Sequence, residues 1–250
     1  MNFLAHYVLA TRYREPPDSL PAYVLGNTLP DLLPLAAPRA RLRRAVVERA
    51  PATGPEQASL RSGVLTHLAT DAIFHKTDAF ARAQADMKAL LRGGGFAGMR
   101  LRPFFLAHVL AELALDAALL RAEPGLAADF YAELDAADFA QAVRWTEAAL
   151  HARLPELPAV LTRFTRSRYL HSYADDEGVA EGLSRLCDRA RQDTFEGPNF
   201  ARLTAAVAAA VRRMDSHAPA LLAETAAALP TECVEAATAS RNGMTLGPER

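Results

Sequence analysis

Cysteine is scarce in this chain: Cys187 and Cys233 are the only two among 250 residues. They stand in no CxxC spacing, which excludes a disulfide framework and a thiolate zinc cluster and points to a reducing, cytoplasmic setting. Lysine is as scarce, present only at Lys76 and Lys88, so arginine supplies nearly all the positive charge beside abundant, helix-favouring alanine. The net charge is −1 and the pI about 6.7, leaving no global basic field to draw nucleic acid or an anionic membrane. Long apolar runs are missing too, and nothing approaches the roughly 20 uninterrupted residues of a membrane span. The opening MNFLAHYVLATRYR has no basic leader and carries His6 inside its short apolar run, so it does not read as a signal peptide. Alternating β-branched runs are nearly absent, and no strand is expected. No serine or cysteine sits in a nucleophile elbow, and RGGGFAG lacks the lysine and Ser/Thr of a phosphate loop.

Half of the residues are hydrophobic, enough for a substantial core. Helical periodicity runs through most of the chain, and the expected fold class is all-α: a single helical bundle over residues 1–230, with 231–250 a frayed tail. Residues 1–13 read as a first helix closed by Pro16 and Pro17, and a second short one starts after Ser19. Gly26, Asn27 and Pro30 in LGNTLPDLLP favour a turn, which puts Asn27 and Asp31 on a bend. A basic helix spans Arg39 to Ala50. One long helix or two cover 58–91, closed by Gly93, Gly94 and Gly95, where left-handed dihedrals cost little. Pro103 heads the next helix, which ends near Pro124-Gly125. Further helices are expected at about 127–134, 136–152, 156–166, 176–191 and 200–229.

Two stretches repeat one ligand-like spacing: His67, Asp71 and His75, then His108, Glu112 and Asp116. Each trio runs i, i+4, i+8 and lines a narrow stripe of a helix, because successive members drift by only about 40°. The apolar neighbours Leu65, Leu68, Ile73 and Phe74, and Leu106, Val109, Leu110, Leu113 and Leu115, imply buried surroundings. Unpaired carboxylates and imidazoles are costly there, and coordination would explain them. His67 and His75 stand about 12 Å apart along a helix axis, too far to share one ion, whereas Asp71 is within reach of either. That suits a carboxylate shared by two cations, and a single-ion site would use one i, i+4 pair from each helix. Carboxylate with imidazole favours Mn²⁺ foremost, with Mg²⁺, Fe²⁺ or Zn²⁺ as alternatives. A bundle in which these groups form buried ion pairs is the metal-free alternative.

The segments MNFLAHYVLA, LGNTLPD, GVLTHLATD, AELALDAALL and YLHSYADDEGVAEGLSRLCDR, in that order, resemble the acyl carrier protein phosphodiesterase family. That family is an all-helical group related to HD-type metal phosphohydrolases. The resemblance implies metal ligands at His6, Asp31, His67, Asp71, Glu112 and Asp116, with His75 and His108 added by the spacing. Asp31 and Asp71 are the candidate catalytic carboxylates, Asp31 as a non-ligating general base, and the resemblance implies holo-acyl carrier protein as substrate, releasing 4′-phosphopantetheine. Asn27, Arg39, Arg43 and Arg44 are then candidate substrate contacts, with Arg41 in the same basic run, since guanidinium suits phosphate or an acidic carrier surface. The chain departs from the family pattern at Leu68, where arginine is usual, at His75, where aspartate is usual, and at Glu112, where aspartate is usual. It lacks a histidine after Asp116 and gains His108. A related hydrolase of a small phosphoester or phospholipid head group is the alternative enzyme reading. His151 and His217 read as structural, and Arg163, Arg166 and Arg168 as a solvated face.

Overall fold

In the computed structural model, the described residues are 1–14, 17–94, 96, 102–190 and 194–230. Among them there are eleven α-helices, one 3-10 segment and no strand, in agreement with the all-α expectation. In chain order the helices are α1 (Phe3–Arg12), α2 (Leu20–Ala36), α3 (Arg44–Arg49), α4 (Pro55–Phe74), α5 (Asp78–Gly93) and α6 (Pro103–Ala122). They continue as α7 (Leu126–Ala136), α8 (Phe139–Leu150), α9 (Leu157–Ser167), α10 (Asp176–Arg189) and α11 (Gly197–Ala228). A 3-10 segment, Tyr169–Ala174, joins α9 to α10 and had no counterpart in the sequence pattern. The expected tail, with Cys233, lies outside the described residues, as do Pro16 and Gly95.

The centre of the bundle is α6. Leu106, Leu110, Leu113, Ala114, Leu115 and Ala117 are almost fully enclosed, as expected of a helix that is apolar on all sides. It packs against α1, α5, α10 and α11. The glycine-rich exit from α5 takes a different form from that expected: Gly93 stays helical and Gly94 caps it at φ −77° rather than left-handed.

Two sequence expectations are corrected, and one left open is decided. The segment expected to bend at Gly26-Asn27-Pro30 is continuous helix, with Pro30 and Pro34 inside α2. Proline there removes two helical hydrogen bonds, but α2 makes the most extensive contact of the bundle along α4 and also packs on α7 and α9, and that tertiary packing outweighs the local preference. Gly26 and Gly63 permit it: a Cβ on Gly26 would lie 2.0 Å from the Leu60 carbonyl oxygen, and one on Gly63 2.0 Å from that of Tyr23. The basic helix is shorter than expected, starting at Arg44 rather than Arg39. The 58–91 pattern is two helices, broken at His75-Lys76-Thr77, where the Thr77 hydroxyl accepts from the Phe80 amide at 3.1 Å and starts α5.

Candidate functional site

The α2–α4 crossing sets the first part of the site. Four residues beyond Gly63, one turn along α4, lies His67; four beyond Asn27, along α2, lies Asp31. His67 Nδ1 is 2.8 Å from the Asn27 carbonyl oxygen. A carbonyl only accepts, so Nδ1 carries the hydrogen and Nε2 of the neutral ring presents a lone pair. That lone pair faces Asp31 Oδ1 at 3.6 Å. From α1, the His6 ring stacks on His67 with centroids 3.9 Å apart. Ligand-capable atoms of His6, Asp31 and His67 all lie within 4.8 Å of one another, the span a single cation can bridge. We call this the inner group.

His6 is the most informative member. It is 2% exposed, and both ring nitrogens are buried without a hydrogen-bond partner. A buried polar group left unmatched costs about 1–3 kcal/mol, so an orphaned imidazole beside a carboxylate and a second imidazole marks a place that wants a ligand. Burial, then the neighbouring His67, holds the His6 pKa well below its ordinary 6.5, which keeps the ring neutral and able to donate a lone pair. Burial pushes the Asp31 carboxyl up from its ordinary value, against the opposing pull of His67.

The outer group forms where α4 ends against α6. His75 caps α4: its amide donates to the Asp71 carbonyl oxygen at 3.4 Å, and its Nδ1 lies 2.9 Å from the same oxygen. Its Nε2 is 3.0 Å from Glu112 Oε1. His108 stacks on His75 at 4.7 Å and places Nε2 2.9 Å from the same oxygen. Phe80 presents its edge to both rings, at 5.0 Å and 5.2 Å. Atoms of His75, His108 and Glu112 again lie within 4.8 Å of one another.

Asp71 joins the two groups. Its Oδ1 is 3.5 Å from His75 Nδ1 and 3.9 Å from His6 Nε2. The Met1 α-ammonium sits in the same place, donating to Asp71 Oδ1 at 3.0 Å and Glu112 Oε1 at 2.9 Å. Burial alone would lower that ammonium's pKa, but Glu112 and Asp71 outweigh it and raise it to about 10. Burial would raise Glu112; the ammonium, His108 and His75 outweigh that and hold it well below the usual carboxylate range.

Asp116 departs from the expected ligand set. It is fully buried, and its oxygens accept from the Leu4 amide at 3.0 Å and the Ala5 amide at 2.8 Å, capping the N-terminus of α1. Burial nonetheless pushes its pKa up to about 7, over the opposing pull of those two amides. It therefore holds α1, and with it His6, in place. The spacing could not show this, because a stripe on one helix does not say what meets each position.

Asn27 is also corrected. It is buried, its side chain donates to the Gly63 carbonyl at 3.4 Å and its own carbonyl orients His67, so it is a positioning residue rather than a substrate contact. Arg39, Arg41, Arg43 and Arg44 are exposed. Arg44 pairs with Glu48 at 3.0 Å, and among the described residues none of the four touches either group. His217 pairs with Asp86 at 3.0 Å, in keeping with a structural role. Sequence reasoning missed Gln84, whose side-chain nitrogen lies 3.3 Å from His108 Nδ1, and the Met1 amino group. Neither carries a local signal, since both arrive from elsewhere in the chain.

Two depressions lie apart from this chemistry. One of about 380 Å³ beside Arg144 and His151 and one of about 730 Å³ between α5 and α11 include no member of either group. No protein-family model, curated protein or solved structure matches the chain.

Proposed function

We propose that the chain is a divalent-metal-dependent phosphoric ester hydrolase, built on an HD-like helical bundle, with its cation at the inner group. The observation that carries the reading is His6: an imidazole buried without a partner, stacked on a second imidazole whose tautomer a backbone carbonyl fixes toward Asp31. A ligating histidine characteristically donates its other ring N–H in this way. His6, Asp31 and His67 would hold the ion, with Asp71 completing the set. Imidazole with carboxylate fits Mn²⁺ foremost, and Mg²⁺, Fe²⁺ or Zn²⁺ as well.

Bound there, a divalent cation would supply Lewis acidity toward a phosphoryl oxygen and lower the pKa of a water. The chain supplies the rest. Asp31 and Asp71 are 34% and 42% exposed at their side chains, so of the inner atoms these carboxylates face solvent and can meet substrate. Asp31, if it is not itself a ligand and Asp71 takes its place beside His6 and His67, would orient an attacking water and take its proton at a carboxylate oxygen. The Asn27 carbonyl keeps His67 in line.

The substrate under this reading is a phosphodiester. Release of 4′-phosphopantetheine from holo-acyl carrier protein is the first choice, since exposed Arg39, Arg41, Arg43 and Arg44 form a basic patch for an acidic partner. A small phosphoester or a phospholipid head group is the alternative. A metal-free reading draws on one observation of its own: Glu112 Oε1 already meets Met1, His75 and His108. Purified protein with Mn²⁺ should hydrolyse an activated phosphodiester, and Asp71→Ala should lower the rate at least about a hundredfold. Equal rates in both would assign the activity to a contaminant.

A further inference from the structure

We infer that His75, His108 and Glu112 form a second, weaker cation position, with Asp71 Oδ1 shared between it and the inner one. This deepens the reading above and rests on it.

Four observations converge. First, His75 has the same construction as His67: its Nδ1 faces a backbone carbonyl, Asp71 O, at 2.9 Å, which leaves Nε2 as the nitrogen turned toward Glu112 Oε1, at 3.0 Å. Second, Glu112 Oε1 gathers the Met1 ammonium at 2.9 Å and both imidazoles around one oxygen, a convergence that a cation among the same atoms would equally satisfy. Third, His108 can change its donor. Its Nδ1 now meets the Gln84 side-chain nitrogen at 3.3 Å; rotating that amide by half a turn offers an acceptor to Nδ1–H and frees Nε2 as a ligand. Fourth, Asp71 Oδ1 reaches both groups: the Met1 ammonium bridges it, at 3.0 Å, to Glu112 Oε1, at 2.9 Å, and on the other side it lies 3.9 Å from His6 Nε2, so this carboxylate is placed to be shared.

The two positions are unequal. His6 and His67 are buried, whereas His75, His108 and Glu112 are all partly exposed. A cation entering the outer position must also displace the Met1 ammonium from Glu112 and Asp71. The inner position therefore fills first, and the outer ion is the exchangeable one. His75 and His108 are also positions where the chain departs from the family pattern it resembles, so this site is particular to the chain's own residues.

The test is a Mn²⁺ titration of the chelator-stripped full chain, following bound ion by equilibrium dialysis and spin coupling by electron paramagnetic resonance. Wild type should bind in two steps, the second weaker, and reach an exchange-coupled spectrum at saturation. His108→Ala and His75→Gln should each lose the second step and retain the first, with the six-line signal of an isolated ion; the retained first step also reports that the variant is folded. Saturation of wild type at one ion would overturn the inference, as would two ions undisturbed by either variant. If that one ion is removed by His67→Ala, the hydrolase reading stands and only the second position falls. Wild type binding no ion would overturn both.

Discussion

The inner and outer groups use the same residue types and differ in how their polar atoms are satisfied. In the outer group each imidazole has a partner at both nitrogens: Asp71 O and Glu112 for His75, Gln84 and Glu112 for His108. In the inner group His6 has none at either nitrogen. A half-exposed cluster can be completed by water, a side-chain amide or a terminal ammonium, whereas a buried one has only the residues packed around it. The residue that burial leaves unmatched is therefore the sharper sign of a missing ligand, and the self-satisfied cluster is the one that a cation enters second.

The largest effect that separates the groups should come from Gly63→Ala. The added methyl meets the Tyr23 carbonyl at 2.0 Å and the Asn27 amide at 2.8 Å, so α2 must move off α4 and Asp31 off His67. Denaturant melts should show a loss of about 3 kcal/mol or more, with high-affinity Mn²⁺ binding gone. Retained inner-site binding would mean that the crossing does not position the group.

Asp116→Ala should come next. It strips acceptors from the buried Leu4 and Ala5 amides at the start of α1, costing about 2–3 kcal/mol. Because α1 carries His6 to one group and begins beside Met1 at the other, weakened ion binding should appear in both steps of a titration. A variant as stable as wild type would deny Asp116 its capping role.

The smallest effect has the opposite sign. His6→Met removes an orphaned buried imidazole and should raise the metal-free protein's stability by about 1 kcal/mol, near 3 °C in Tm, while lowering that of the Mn²⁺-loaded protein. It should also flatten a pH dependence. The folded pKa of His6 is depressed below 6.5, so the unfolded chain binds more protons in acid, and the stability present above pH 6.5 falls as pH drops below it. Calorimetry of wild type and variant between pH 5 and 8 checks both parts; parallel curves would mean that His6 is not held neutral.

What could be read in the sequence follows from what is periodic. The helices, the absence of strands among the described residues and the stripes His67–Asp71–His75 and His108–Glu112 were legible, because helical spacing reports which side chains share a stripe, whereas His6 and Asp31 were implied only by the family resemblance. Asp116 was misassigned for the same reason: its stripe is right, and its partner, the start of α1, is remote in sequence. The bend expected at Gly26-Asn27-Pro30 failed because Gly26 serves a helix crossing, a demand made by Leu60, more than thirty residues later. Gln84 and the Met1 ammonium complete the outer group from separate parts of the chain, and only the tertiary structure brings them there.

The most direct test of the account is the metal content of the protein as isolated without chelator, measured by elemental analysis for wild type and for His67→Ala. The account predicts a divalent transition ion in wild type and its loss in the variant, with His108→Ala retaining at least one ion. Metal-free wild type that also fails to take up Mn²⁺, or equal metal in wild type and His67→Ala, would contradict it and leave the two groups as ion pairs of a helical scaffold.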